Sequence, residues 1–418
     1  MKSSFKEKAL FIIALLLMNY RVNLIGSMSL TEIYVVTQIP RLLKWIDGPG
    51  KRIPYLHKIV NAFYLLICIQ CVAEFMVDNS LTNAMKGVAV TVMALFLMLF
   101  FLEKLAKDIS LAVCIPICSA IGLITFGDQF GFADQGEITY FKFYVAPIVA
   151  NAAIALSLLA RYKWVQRNIY VLLMGVSLFI IIGGARSLGF SMFFTVFALF
   201  LYNRYRTVRF KRLLPGLIIC AIIVQSFLTF MYMPKVKSGE WGSEQNRNQF
   251  EKIDWKSNIF MILFSARTDF FVSTIAFLDK PLWGFGSWAV DNTGKYHIIQ
   301  AEMMGDEYKV NPETFGYVPC HSVVMGKGVS NGIFAFLIFL WIFITIYGIG
   351  LKGLRPNSIY NVFLLWTIIS SFQLLMFGPP AILKNKGAIA FAVMFALYYI
   401  NHKENGTKSN TIRSNGNV

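Results

Sequence analysis

MGVSLFIIIGGARSLGFSMFF, residues 174–194, sets one arginine between two apolar runs, with no water-rich loop on either side to solvate it. In hydrocarbon every backbone polar group must be satisfied inside its own segment, so each run reads as a spanning helix, over Asn168–Gly183 and Leu188–Tyr202. Arg186 then falls on a very short turn at the membrane edge, and an ionised residue at that depth marks a functional site. Gly183 and Gly184 permit close backbone approach to a ligand. A guanidinium offers a planar fork for phosphate oxygens, which makes an anionic headgroup the natural guest. The competing reading is an arginine that only snorkels to the interface.

The remainder of the chain is equally greasy. Of 418 residues, 56% are hydrophobic, 15% aromatic and only 15% charged, which exceeds what a soluble core needs and indicates an all-α integral membrane protein. Besides the two spans above, apolar runs predict spans over Ala9–Ile25, Ser27–Leu43, Ile59–Val77, Asn83–Leu102, Ile109–Phe126, Phe141–Ala160, Leu213–Met233, Asn331–Leu351, Ile359–Phe377 and Gly387–Ile400, twelve in all. The second is short, carries Thr31, Glu32 and Gln38 and meets Pro40, so a re-entrant or interfacial segment is its alternative. Lys and Arg collect in every second loop, as in Arg41–Lys58, Lys104/Lys107, Arg161–Arg167, Arg204–Arg212 and Lys352/Arg355, while the intervening loops are short, neutral or acidic, as in Asp128–Glu137. By the positive-inside rule this alternation supports the count and places both termini in the cytoplasm.

The organisation that follows is a bundle of about nine spans over residues 1–232, a polar outward loop over 233–330, three further spans over 331–400, and a polar tail over 401–418 expected to be disordered. The first apolar run leads into further structure without a small-residue cleavage site and reads as a retained span. The formal charge of +17 suits cytoplasmic loops resting on anionic lipid, whereas no basic strip interleaved with aromatics suggests nucleic-acid binding. Cys68, Cys71, Cys114, Cys118 and Cys220 lie in apolar spans as small packing residues, and no histidine joins them as metal ligands would. Cys320 faces outward without a partner. Neither a metal nor another cofactor is expected.

Topology filters the site candidates. His57 and His402 fall on the cytoplasmic side, which leaves His297 and His321 as the outward histidines, and Arg186, Arg247 and Arg267 as the outward arginines. Arg267 sits in SNIFMILFSARTDFFVSTIAFLDKP, an amphipathic stretch predicted to end before Pro281 with Ser265, Arg267, Thr268 and Asp269 grouped in its middle. An Arg267/Asp269 surface pair is the plain alternative. PLWGFG follows, a turn whose glycines and indole suit a lipid or sugar contact, and Trp288 lies just beyond it. His321, in PCHSVVMGKGVSNGIFAF, stands where the chain returns to the bilayer, and a neutral imidazole there can accept a proton from an attacking hydroxyl. A capping histidine is the plain alternative, and Gly326, Gly328 and Gly332 read as helix-start punctuation.

At these segments the chain resembles the bacterial O-antigen polymerase and O-antigen ligase superfamily, membrane glycosyltransferases with about a dozen spans and one large periplasmic loop late in the chain. GGARSLG looks like the family's arginine at the outer end of a middle span, SARTDFFVSTIAFLDKPLWGFG like its loop arginine, helix and glycine turn, and PCHSVVMGKGVSNGIFAF like its histidine and final hairpin. The resemblance implies an inner-membrane enzyme that works without metal. Arg186 and Arg267 would hold the pyrophosphate of an undecaprenyl-linked oligosaccharide, and His321 would assist the acceptor hydroxyl. Trp283 and Trp288, aromatics among polar loop residues, read on their own as sugar contacts, with anchoring at the membrane interface as the alternative. The resemblance also implies membrane lipids, a chain-length regulator and a flippase as partners. Many ligases carry His-Asn here with a glutamate shortly after, whereas this chain has His321-Ser322 and then Lys327, which favours polymerase over ligase. A lipid-linked-oligosaccharide flippase is the alternative of another class; no internal repeat and a long outward loop stand against it.

Overall fold

The computed structural model describes residues 4–24, 26–127, 140–159, 163–205, 231, 233–240, 268–304 and 316–415. Helix dominates. In chain order the described α-helices of ten residues or more are α1 (Phe5–Leu17), α2 (Leu30–Asp47), α3 (Leu56–Met76), α4 (Leu81–Lys107), α5 (Cys114–Phe126), α6 (Ala146–Leu158), α7 (Lys163–Ile182), α8 (Arg186–Tyr205), α9 (Thr268–Asp279), α10 (Lys295–Met304), α11 (Val323–Lys352), α12 (Asn361–Phe377) and α13 (Lys386–Asn415). Among the described residues, five helical segments are long and apolar enough to cross a membrane: Leu56–Met76, Leu81–Lys107, Ile109–Phe126, Phe141–Leu158 and Val323–Lys352. The third gains its length from a 3₁₀ turn ahead of α5, and the fourth from a π turn ahead of α6. This is a membrane-embedded, helical architecture.

The N-terminal region departs from the expected spans over Ala9–Ile25 and Ser27–Leu43. The 13 residues of α1 reach only about 20 Å, well short of a bilayer core of about 30 Å. Asn19, Arg21 and Asn23 interrupt the apolar run, and the chain instead makes an antiparallel hairpin, β1 (Arg21–Leu24) with β2 (Gly26–Ser29), in which Arg21 faces Ser29 and Val22 faces Met28. A capping box at Ser29 and Glu32 then starts α2, and Pro40 lies inside that helix. The expected ninth span, Leu213–Met233, lies outside the described residues apart from Met231 and Met233, and so does the acidic Asp128–Glu137 loop. At the other end α13 runs to Asn415, past the point at Asn401 where composition places a disordered tail; a helix already nucleated by a packed apolar segment extends at little cost.

The centre of the bundle is the pair α4 and α13, which pack on each other, with α11 and α12 against α13 and α2 and α3 against α4. Leu95 and Leu97–Leu102 are completely buried, the mark of a helix apolar on every face and surrounded by others. Packed against it, α13 carries the buried small residues Ala388, Ala390, Ala392 and Ala396, which let neighbouring backbones approach where lipid removes the usual hydrophobic drive to associate.

Ion pairs and hydrogen bonds sort the helix ends into two groups. Lys8 of α1 meets Asp108 after α4 at 3.2 Å, Arg41 of α2 meets Glu103 of α4 at 2.8 Å, and Asn203 of α8 bonds Tyr170 of α7 at 2.7 Å. Asn401 of α13 donates to the Gly353 carbonyl after α11 at 2.5 Å. This is the basic end. The loop end holds Glu32 with Lys384, the C-terminus of α3, the N-termini of α4, α8 and α11, and the segment 268–304. The grouping follows the alternation that the Lys and Arg distribution predicts for α2, α3, α4, α8 and α11.

Candidate functional site

A break in α11 organises the loop end. Gly332 has φ 77° and ψ −171°, so a short helical segment, 323–331, precedes the long apolar one. An extended residue with positive φ is a conformation open essentially to glycine alone, and an added Cβ would overlap the Leu282 carbonyl. Into the break docks the turn 281–287. The Phe285 amide donates to Val329 O at 2.8 Å, the Gly286 amide to Ser330 O at 2.9 Å, and the Ile333 amide to Pro281 O at 2.7 Å. The PLWGFG glycines therefore serve an internal clasp. Trp283 is turned against Phe334 of α11, ring centroids 6.1 Å apart, and is half-buried. Trp288, with φ 59°, keeps 41% of its surface exposed beside Tyr317.

The segment 323–331 carries His321 at its head. Ser322, fully buried, caps it by accepting from the Met325 amide at 3.1 Å, which leaves His321 one residue outside the helix with 54% of its side chain exposed. Against its flank lies α9, with Phe277 covering the bare face of Gly328 and stacking on Phe336 at 5.3 Å. That docking brings Asp269, in the first turn of α9, to His321, Nδ1 to Oδ2 at 3.4 Å. The other carboxylate oxygen accepts from Gln300 of α10. A carboxylate on Nδ1 favours the tautomer with its proton there and leaves Nε2 as the open acceptor. The separation exceeds an ordinary hydrogen bond, as catalytic contacts in unliganded sites commonly do.

Arg186 is the first residue of α8 and half-buried. Its preceding glycines do other work than expected. Gly184, φ 97°, closes the end of α7, with the Ala185 amide donating to Ile180 O at 3.1 Å, and the space beside Gly183 is filled by the Phe141 ring. One turn and a half into α8, Ser191 meets Gln373 of α12 at 3.5 Å, and α12 ends one turn later at Phe377, on which Phe270 of α9 packs at 5.8 Å. Arg186 and the His321/Asp269 pair thus flank the same end of α12. Arg267 lies outside the described residues, as do Arg247, Trp241, Phe250, Trp255 and Glu313.

His297 belongs to a different group. Its Nδ1 lies 3.0 Å from Asp291 Oδ2, the oxygen that also accepts from the Tyr296 and His297 amides at 2.8 and 3.1 Å, so this histidine helps to start α10. Burial alone would raise the Asp291 carboxyl, but these donors outweigh it and hold the group below its ordinary range. Burial pushes the Cys320 thiol up to about 11, which keeps it protonated and unreactive. Among the described residues no three His, Cys, Asp or Glu side chains are grouped as metal ligands would be.

No family model matches this chain, and no curated protein is significantly similar to it. The assignment of a site therefore rests on its own geometry.

That geometry includes residues to which the sequence reading gave no place in the site. Glu74, 4% exposed at the end of α3, accepts from the Ser287 amide at 3.0 Å, from the Ser287 hydroxyl, from Asn79 Nδ2 at 2.5 Å and from Asn331 Nδ2 at 3.0 Å. Gln70, one turn back on α3, donates to Asn331 Oδ1 at 3.0 Å. Lys327, 7% exposed, donates to Thr91 of α4 at 2.7 Å. The available signal was an acidic and a basic residue inside apolar spans, Glu74 in Ile59–Val77 and Lys327 just ahead of Asn331–Leu351.

Proposed function

We propose that this protein is an inner-membrane glycosyltransferase that polymerises undecaprenyl-pyrophosphate-linked oligosaccharide repeats on the periplasmic side. In this reading twelve spans put both termini in the cytoplasm, the basic end faces inward, and the loop over 233–330 faces the periplasm. The observation that carries it is His321 opposite Asp269, at the same end of α12 at which Arg186 begins α8. A base held by a carboxylate beside a scarce, half-buried cation is a set suited to moving a glycan off an anionic lipid carrier.

The chemistry balances on these groups. The acceptor sugar hydroxyl attacks the anomeric carbon of the donor glycan, its proton passes to His321 Nε2, and the anomeric C–O bond breaks with its electron pair leaving on undecaprenyl pyrophosphate. Arg186, with Arg267 from the loop, steadies the pyrophosphate as its charge grows. Asp269 orients the imidazole and offsets its positive charge once protonated.

Reconstitution with purified lipid-linked repeat, with and without lipid A core, tests the reading. Polymer on the lipid carrier is the expected product. Transfer to lipid A core alone would make the protein a ligase, and lipid translocated without any new glycosidic bond would make it a transporter. His321→Ala should lose about 10²- to 10⁴-fold in turnover while His297→Ala loses little, and donor binding should survive in both. A fully active His321→Ala protein removes the proposed base.

A further inference from the structure

The reading above leaves unexplained a buried carboxyl beneath the site. Glu74 accepts from four donors on three residues, Asn79, Ser287 and Asn331. Buried donors left without an acceptor are costly, which holds the set together. On the same segment as Asn331, Lys327 donates to Thr91 of α4 at 2.7 Å. Packing closes the arrangement, since an added Cβ at Gly87 of α4 would overlap the Ser287 side chain.

The partners of Glu74 matter more than their number. Asn331 is the last residue before the break in α11, and Lys327 lies one turn earlier on the same short segment, whose head carries His321. Ser287 ends the turn that docks in that break. Asn79 ties the two together a second time by donating to the Ser287 carbonyl at 2.9 Å. The platform under His321 is thus held to α3 and α4 by polar contacts, while α9, which brings Asp269, rests on the same platform through Phe277. A shift of 323–331 would move His321 relative to Asp269 and to Arg186, whose helix belongs to another part of the bundle.

We propose that Glu74 is a positioning residue: its carboxyl locks the 281–287 turn and the 323–331 segment to α3 and thereby fixes His321 against Asp269. The proposal rests on the glycosyltransferase reading for its consequence in turnover, but the lock itself has an independent readout.

The test uses full-length protein in proteoliposomes with purified lipid-linked repeat, together with amide hydrogen exchange. Glu74→Gln replaces an acceptor by a donor facing other donors. It should lower turnover by about 10²-fold, the cost of a misplacement of roughly 1 Å, with donor affinity unchanged. The Phe285 and Gly286 amides, which close the clasp, should exchange faster. Wild-type turnover in Glu74→Gln, or unchanged exchange at both amides, overturns the proposal. Should Glu74→Gln fail to reach the membrane, Ser287→Ala decides: it removes one donor and no charge, so slower turnover with faster exchange supports the lock, and wild-type values for both overturn it. A wild-type protein that transfers no glycan sinks the proposed function, whereas the amide exchange alone decides whether Glu74 holds the clasp.

Discussion

At the loop end Glu32 and Glu74 are 1% and 4% exposed, and their partners join segments far apart in the chain: Lys384 to Glu32 at 2.9 Å, and Asn331 and Ser287 to Glu74. At the basic end Glu7, Lys107 and Arg41 keep 31%, 36% and 41% of their side-chain surface, and one carboxylate oxygen of Glu7 serves both Lys104 at 3.7 Å and Lys107 at 3.1 Å. The charges are more numerous there and mixed in burial: Glu103 and Lys104 are each 3% exposed, while Lys8, Arg41 and Lys107 reach water. Paired charges withdrawn from water fix geometry, because removing one partner strands the other, whereas half-exposed pairs are screened and contribute little apiece. The half-exposed pairs of the basic end therefore fix geometry less than the buried Glu32–Lys384 pair of the loop end does.

Substitutions at matched carboxylates separate the two ends most sharply. Glu32→Gln leaves Lys384 buried without its counter-charge and should cost about 3 to 5 kcal/mol, read as a fall in thermal stability of the detergent-solubilised protein. A loss under about 1 kcal/mol would put Glu32 in the same class as the basic end. Gly332→Ala comes next, at about 3 kcal/mol, since it sets a Cβ against the Leu282 carbonyl in a backbone with φ 77°. An alanine variant as stable as the parent would mean that the break in α11 is not needed.

Asp269→Asn sharpens the comparison within the loop end. It keeps the shape of the side chain but weakens the contact to His321, so turnover should fall by less than the 10²- to 10⁴-fold expected for loss of the histidine itself. A loss as large as that of His321→Ala would give Asp269 the primary role. Acid should then affect α10 selectively. Asp291 is held below its ordinary range in the folded protein, so its contribution is present at neutral pH and is lost as pH falls through the folded value, below about pH 4. Exchange of the Tyr296 and His297 amides, both donors to Asp291, should accelerate in that window and not above it. The smallest effect belongs to the exposed pairs of the basic end, where Lys8→Ala, which takes a half-exposed partner from Asp108, should cost about 1 kcal/mol or less and shrink further in high salt. A larger, salt-insensitive loss would contradict the contrast between the ends.

Much of the helical framework was legible because burial in lipid demands long apolar runs, and α3, α4, α12 and the part of α11 beyond Gly332 begin and end close to where those runs do. The N-terminal hairpin was not, because Met18–Ser29 is apolar enough on average to resemble a span while its polar residues, spaced through the run, favour pairing. Of the site, His321 and Arg186 could be picked out by scarcity on one side of the membrane. The partner of His321 could not, since Asp269 was as consistent with a pair to Arg267, two residues away, as with a histidine 52 positions later. The glycines misled in a similar way. A glycine gives room, and only the fold shows whether a ligand, the Phe141 ring beside Gly183 or the Leu282 backbone against Gly332 takes it.

The amino-acid sequence by itself determined that this is a helical membrane protein, where most apolar helices lie and which ends carry the basic charge, because those properties are summed over neighbours along the chain. Only the tertiary structure decided that α11 breaks at Gly332 to receive the 281–287 turn, that Glu74 gathers Asn79, Ser287 and Asn331 into one buried network and that His321 faces Asp269. Each of these joins segments that local pattern cannot relate: Glu74 and Asn331 are 257 positions apart, and what brings them together is the cost of leaving either one unpaired inside the protein.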